Sequence, residues 1–102
     1  LGVFELSRNA SQAAEAQFRR ALKLKRFYPD AHNNLALALW HLGKRDEAVS
    51  EFREAIRQRP ASAVYENLGL LLEQMGDPDA KNVLAKAAMM RSAEPGATST
   101  SR

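Results

Sequence analysis

An internal repeat is the feature that most constrains the fold of this chain. The pair Leu35-Ala36 has a counterpart in Leu1-Gly2 before it and in Leu68-Gly69 after it, at nearly equal separations. The trio Ala48, Phe52 and Ala55 is matched at almost the same separation by Ala14, Phe18 and Ala21 earlier in the chain, and by Ala80, Leu84 and Ala87 later. A nearly constant period of this size is typical of stacked copies of one small supersecondary unit. The sequence therefore predicts a repeat array.

Each unit contains two amphipathic segments separated by a turn signal. We predict helices over about residues 12–27, 31–42, 47–58, 62–75 and 79–91, with the tail of an earlier helix before residue 9. Gly43 and Gly76 are predicted to end helices, because glycine adopts a left-handed conformation without steric cost. Ser11, Asp30 and Asp46 are predicted N-caps. Residues 93–102 are small and polar and are predicted to form a disordered tail.

The predicted interior consists of small and apolar side chains at helical spacing. Residues three and four apart share one helix face, so each helix contributes a single stripe. The stripes are Ala14, Phe18, Ala21, Leu22 and Leu24; Leu35, Ala36, Leu39 and Leu42; Ala48, Val49, Phe52, Ala55 and Ile56; Leu68, Gly69, Leu72 and Met75; and Ala80, Val83, Leu84, Ala87 and Ala88.

The sequence offers little for catalysis. His32 and His41 are nine positions apart, which does not place two ligands on one helix face for a metal, and no phosphate-binding glycine loop or nucleophile motif is present. With no cysteine, disulfides and thiolate zinc sites are excluded, and a reducing compartment such as the cytoplasm is weakly favoured. No apolar run is long enough to span a bilayer. We expect no enzymatic activity, no cofactor, no metal and no membrane partner.

The net charge of +3 is concentrated near the start of the chain. Residues 1–29 carry +4, residues 30–60 are neutral and residues 61–102 carry −1. The cluster consists of Arg19, Arg20, Lys23, Lys25 and Arg26. We interpret it as positive charge that complements the dipole at a helix C-terminus. Binding of nucleic acid is disfavoured, although the nearby Phe27 and Tyr28 keep that alternative open.

The spacing resembles the tetratricopeptide repeat, whose pattern is W-x2-L-G-x2-Y, then A-x3-F, then P. The second unit matches at His32, Leu35, Ala36, Leu39, Ala48, Phe52, Ala55 and Pro60, and the third at Tyr65, Leu68, Gly69, Leu72, Ala80, Leu84 and Ala87. The chain departs from the pattern at His32, where an aromatic residue is usual, and after the third unit, where the usual proline is missing. The resemblance implies an all-α fold of antiparallel helix hairpins stacked as a right-handed α-solenoid. The array would cover residues 1–92, with a partial repeat at 1–28, a full repeat at 29–61 and a shortened repeat at 62–92. Because the chain opens inside a repeat, we expect it to be part of a longer array.

In arrays of this family, the inner stripe of each first helix lines a concave groove that holds a peptide. By resemblance, the peptide-binding residues are Asn33, Asn34, Leu37, Trp40, His41, Glu66, Asn67, Leu70 and Gln74. Asn34 and Asn67 occupy equivalent places, and a side-chain amide can both donate to and accept from a peptide backbone. The pair resembles the asparagine ladder of O-linked N-acetylglucosamine transferases. Alternatively, these asparagines are solvated or bonded to a neighbouring helix, and Trp40 either anchors a ligand or packs against the next first helix of the array.

Members of the family that bind chaperones use a carboxylate clamp made of lysines and arginines on this stripe. Here the corresponding places have Asp30, Asn33, Ala63 and Glu66, so the clamp is not expected. We therefore predict a non-catalytic protein–protein interaction module that binds a protein or peptide. The first alternative is the substrate-recognition part of a larger enzyme, such as a glycosyltransferase. The second is an adaptor that forms a homodimer through an exposed end of the array, suggested by the apolar run Ala87-Ala88-Met89-Met90.

Overall fold

The computed structural model describes residues 8–93, which form five α-helices. These are α1 (Arg8–Leu24), α2 (Pro29–His41), α3 (Arg45–Gln58), α4 (Ser62–Gln74) and α5 (Ala80–Ala93). The described residues contain no β-strand. The chain divides into two compact units, the first with α1, α2 and α3 and the second with α4 and α5. The predicted all-α fold of helix hairpins is confirmed.

In the first unit, α2 and α3 form a hairpin, called here the first hairpin, and α1 packs against α2. Pro29 stands in the first turn of α2, where its missing N–H has no helical partner to lose. Gly43 follows with a φ of 81°, a left-handed conformation, and ends the helix as predicted. The predicted stripes of α2 and α3 are confirmed as core at Leu35, Ala36, Leu39, Leu42, Ala48, Phe52 and Ala55, all of which are buried.

Charged side chains connect α1 to the first hairpin. The Glu15 carboxylate accepts hydrogen bonds from Arg19 Nε at 2.9 Å and from Lys44 Nζ at 3.2 Å. Arg19 also donates to Glu47 on α3 at 3.3 Å. Burial of Glu15 acts to raise its pKa, but the bonds from Arg19 and Lys44 together outweigh this and lower the pKa. Arg19 thus serves as a link within the unit.

The second hairpin consists of α4 and α5. Leu68, Gly69 and Leu72 are buried as predicted, and so are Ala80, Val83 and Ala87. Leu71 is also fully buried, although the sequence pattern did not include it. Gly76 ends α4 with a φ of 73°, as predicted.

The predicted starts of three helices were wrong. Helix α1 runs through residues 9–11 without a break, so Ser11 is an interior residue, and its buried hydroxyl has no hydrogen-bond partner among the described residues. Asp30 and Asp46 are not N-caps, because α2 and α3 begin one residue before each of them. Both carboxylates lie in the first helical turn, where the helix dipole favours negative charge.

Three residues predicted to be interior are exposed instead: Leu24, Met75 and Ala88. Leu24 is the last residue of α1, and Met75 follows the end of α4, so neither has a further helical turn to hold it against the core. Ala88 lies next to buried Ala87 but faces outward. Ala93, placed in the predicted tail, belongs to α5. The rest of that tail and residues 1–7 lie outside the described residues.

Candidate functional site

The predicted binding stripe of α2 is only partly accessible. Asn34 and Leu37 are exposed, whereas Asn33, Trp40 and His41 are half-buried. Asn34 and Leu37 are three positions apart and therefore share one helix face. Leu37 is 39% exposed on a helix whose other leucines are buried. Helix α2 thus presents an amide beside an aliphatic side chain.

Trp40 contributes to the packing of the first hairpin. Its ring meets the ring of Phe52 on α3 edge-on, with 6.2 Å between centroids and an interplanar angle of 86°. Edge-to-face pairs of this kind stabilise a fold beyond the apolar area that they bury. Because Phe52 is fully buried, Trp40 extends the core towards the surface. Substituting Trp40 would therefore alter stability as well as any ligand contact.

The corresponding stripe of α4 carries different polar groups. Leu70 is 43% exposed and Gln74 is exposed, whereas Glu66 and Asn67 are half-buried. The Glu66 carboxylate forms an ion pair with Arg91 on α5. A ligand that approached Glu66 would have to compete with this arginine.

The two hairpins agree at one pair of positions and differ at another. Leu37 and Leu70 occupy equivalent places in successive repeats, and both are exposed. Asn34 and Asn67 are equivalent by the same spacing, but Asn34 is exposed and Asn67 is half-buried. The leucines are thus the better-matched features of the two faces.

An arginine at the end of the second helix of each hairpin pairs with an acid near the start of the first. Arg59 donates to Asp30 Oδ1 at 3.1 Å, and Arg91, at the equivalent position, pairs with Glu66. Both acids occupy places where a carboxylate clamp would need cations. These acids are therefore partly neutralised within their own hairpins.

A second surface lies at the connection between α1 and α2. The amide of Gln58 on α3 holds this loop: Gln58 Nε2 donates to the Arg26 carbonyl at 3.0 Å, and the Tyr28 N–H donates to Gln58 Oε1 at 2.8 Å. An open pocket of about 390 Å³ lies beside the loop, lined by Leu22, Arg26, Phe27, His32, Glu54, Arg57 and Gln58. The sequence pattern did not identify this pocket, because no periodic feature links the loop to α3.

The polar groups of the pocket are bonded to each other. His32 Nδ1 lies 2.7 Å from Glu51 Oε1, and His32 Nε2 lies 3.3 Å from the Arg26 carbonyl. Both partners are hydrogen-bond acceptors, one on α3 and one in the loop. Hydrogen bonds from Arg57 and Gln58 lower the pKa of Glu54 to about 2. The hydrogen bonds around the pocket therefore hold the loop against α2 and α3.

Across residues 8–93, no group of three or more histidine, cysteine, aspartate or glutamate side chains is arranged to hold a metal ion. Within the same residues, no helix has both the length and the apolar character needed to cross a membrane.

Comparison with protein families gives a match over most of the chain. The family model described as Tetratricopeptide repeat matches residues 5–63 and 42–81. A search of curated proteins found no match. The family match covers α1, both helices of the first hairpin and α4, and it ends at the start of α5.

Proposed function

The chain belongs to the tetratricopeptide repeat family, and from that premise we propose that the faces of α2 and α4 bind a peptide segment of a partner protein. Repeats of this family generally mediate protein–protein interaction and are typically non-catalytic. The proposal concerns each face separately, Asn34 with Leu37 on α2 and Asn67 with Leu70 on α4.

The exposure of Leu37 and Leu70 carries this proposal. Neither leucine belongs to the core of its hairpin. The core is filled by other leucines of the same helices, namely Leu35, Leu39, Leu68 and Leu72. An aliphatic side chain left in water at the same place in two repeats is suited to a partner's apolar side chain. Burying such a side chain stabilises a complex by roughly 1.5–3 kcal/mol when burial is complete.

The asparagines would add hydrogen bonds to the ligand backbone. Each net hydrogen bond contributes about 0.5–1.5 kcal/mol, so Asn34 and Asn67 together contribute no more than one fully buried leucine. We expect a ligand of either face to bind with a Kd between about 1 μM and 1 mM, or −8 to −4 kcal/mol.

A selection from a random peptide library displayed on phage tests the proposal. Peptides that bind the wild-type chain are titrated against Leu37→Ala, Leu70→Ala, Asn34→Ala and Asn67→Ala. Each leucine variant should weaken binding about tenfold, and Asn34→Ala should weaken it more than Asn67→Ala because Asn34 is the more exposed.

Leu24→Ala is the matched control, since it truncates an exposed leucine that belongs to α1 and to neither of the two faces. Binding that falls equally in Leu24→Ala and Leu37→Ala would contradict the assignment to α2. Selected peptides that are indifferent to all four substitutions would end the proposal.

Self-association through α5 is a second candidate. Ala88 and Met89 are exposed, Met89 to 69%, on a helix that packs against α4 by its other side. If this surface joins two copies, Met89→Lys should convert a dimer into a monomer in sedimentation equilibrium. A monomeric wild-type chain at high micromolar concentration would rule this candidate out.

A further inference from the structure

The loop between α1 and α2 presents its side chains outward from a fixed backbone. Gln58 binds both the Arg26 carbonyl and the Tyr28 N–H, and His32 lies against the same carbonyl. These contacts use main-chain atoms of the loop. The side chains of residues 24–27 are thereby left for other contacts, and all four are exposed.

Two of these side chains are large and apolar. Leu24 is 86% exposed and Phe27 is 62% exposed, more than any leucine or phenylalanine of the α2 and α4 faces. Leu24 protrudes from the surface, and Phe27 is exposed at the edge of the pocket beside the loop. Scattered exposed apolar residues are ordinary, but two so close in the chain at one corner of the fold are a local concentration.

Cationic side chains surround these two residues. Arg20 lies one helical turn before Leu24 on the same face of α1, and Lys23, Lys25 and Arg26 follow in the chain. Arg20, Lys23 and Arg26 form no ion pair within residues 8–93, and Lys25 Nζ lies 4.8 Å from the ring centroid of Tyr28. We call Arg20, Lys23, Leu24, Lys25, Arg26 and Phe27 the loop surface.

The helix dipole accounts for only part of this charge. Helix α1 ends at Leu24, three positions earlier than its sequence pattern predicts, so Lys23 is the cation in its last turn. Lys25, whose N–H still donates to the Ala21 carbonyl at 2.9 Å, and Arg26 continue the charge past the last turn. The cluster thus carries more positive charge than one helix terminus uses, and it is complementary to an anionic surface.

We propose that the loop surface binds the surface of an anionic lipid bilayer. Apolar side chains that enter the interface, flanked by lysine and arginine near anionic headgroups, are the combination by which proteins lie on membranes. Leu24 cannot stack on a nucleobase as an aromatic ring would. The pocket beside the loop offers a peptide few polar contacts, since His32, Glu54 and Gln58 are already bonded within the protein.

Surface binding differs from spanning a membrane. The sequence-based expectation of no membrane partner rested on the absence of a long apolar segment, which interfacial binding does not need. The loop surface is also made of other residues than the α2 and α4 faces, so this inference stands independently of the proposed peptide ligand.

Vesicle co-sedimentation of the full chain tests the inference. We expect binding to vesicles of phosphatidylcholine with phosphatidylserine and none to phosphatidylcholine alone, with weaker binding at high salt. The double variant Lys23→Gln, Lys25→Gln should lower the partition coefficient at least about tenfold. Leu24→Ala and Phe27→Ala should each lower it about tenfold, because the inserted apolar area is lost.

Matched controls test whether the loss of vesicle binding is specific to the loop surface, and not a result of lower net charge or of losing any exposed leucine. Lys81→Gln with Lys86→Gln removes two exposed lysines of α5, and Leu37→Ala removes an exposed leucine of α2. Both should bind vesicles within about twofold of wild type. Circular dichroism melting of every variant checks that the fold is retained.

Three outcomes would overturn the inference. The first is no binding to anionic vesicles, and the second is binding that depends on the lysines but not on Leu24 or Phe27. The third is tighter binding to single-stranded RNA or to an acidic peptide than to vesicles, lost in Phe27→Ala. A failed peptide selection would leave the vesicle result unaffected, so the two proposals fail separately.

Discussion

The two hairpins are built on one pattern but fill it with side chains of different size. The first has Ala36 on α2 and Phe52 on α3, both fully buried. The second has Gly69 and Leu84 at the equivalent positions, and a Cβ added to Gly69 would lie 2.5 Å from Leu84 Cδ2 and 3.3 Å from the Leu84 backbone nitrogen. The second hairpin thus needs glycine where the first accepts alanine, so equivalent positions are not interchangeable.

The hairpins also differ at the ends of their second helices. Helix α3 begins at Arg45, before Ala48, whereas α5 begins at Ala80, the residue equivalent to Ala48. The connection between α4 and α5 is one residue shorter, and it ends in a turn in which the Ala80 N–H donates to the Asp77 carbonyl at 3.1 Å and the Asp79 N–H donates to Asp77 Oδ1 at 2.8 Å. At the other end, α5 continues to Ala93 because no proline stands at the place of Pro60.

The largest expected contrast is between the two central side chains. Phe52→Ala removes a fully buried ring that also supports Trp40, and it should lower the free energy of unfolding by about 3–5 kcal/mol. Leu84→Ala should cost about 2 kcal/mol, because Leu84 is only half-buried. Urea denaturation followed by circular dichroism measures both, and equal losses would contradict the comparison.

A smaller contrast tests the close approach at Gly69. Gly69→Ala should lower the free energy of unfolding by about 1–3 kcal/mol, because the added methyl group forces α4 and α5 apart. Ala36→Gly in the first hairpin should cost about 1 kcal/mol or less, through backbone entropy. The double variant Gly69→Ala, Leu84→Ala should recover part of the loss relative to the sum of the single variants. A neutral Gly69→Ala in the same urea experiment would show that the helices have room.

The two turn glycines should behave alike. Gly43 and Gly76 both have left-handed φ, and a Cβ at either would meet no atom within 4 Å. Gly43→Ala and Gly76→Ala should therefore each cost about 1 kcal/mol, from backbone strain alone. Thermal melting compares them, and a difference larger than about twofold would mean that the turns are not equivalent.

The smallest expected effect concerns acid stability. The depressed pKa of Glu54 contributes stability that is fully present above its ordinary value of 4.5 and is lost as the pH falls through about 2. The second hairpin has Lys86 and Met89 at the places of Glu54 and Arg57, so this dependence belongs to the first hairpin. Melting temperatures of wild type and Glu54→Gln should converge between pH 4.5 and about 2. A constant difference over that range would assign the acid dependence to other carboxylates.

The sequence predicted most of the core from periodic burial, with Leu24, Met75 and Ala88 as the exposed exceptions. The stripe of α2 and the helix stops at Gly43 and Gly76 followed from spacing and from the freedom of glycine. Helix starts were predicted less well, since Asp30 and Asp46 serve in the first turn as readily as at the cap. Leu71 was missed because its burial depends on packing beyond the stripe assigned to α4.

The candidate site was predictable only as a face. Repeat equivalence located Leu37 and Leu70, but not the burial of Asn67 or the pairing of Glu66 with Arg91, which depend on side-chain geometry. The similarity to the asparagine ladder of glycosyltransferase arrays stays a prediction. Because Asn34 and Asn67 are unequally exposed, comparing the peptide affinities of Asn34→Ala and Asn67→Ala tests it. At the loop surface, the sequence showed the positive charge and the aromatic Phe27, but not the exposure of Leu24, which its spacing placed in the interior.

The two hydrogen bonds from Gln58 to the loop between α1 and α2 have a consequence for how this protein can evolve. The side-chain amide of Gln58 binds main-chain atoms of residues 26 and 28, so both hydrogen bonds can persist when the side chains of these residues are replaced. Proline at position 28 is the exception, because it has no N–H to donate. Selection can then vary the chemistry displayed at this corner and leave the helix arrangement untouched. The corner is free to acquire or lose an affinity without a compensating change in the core.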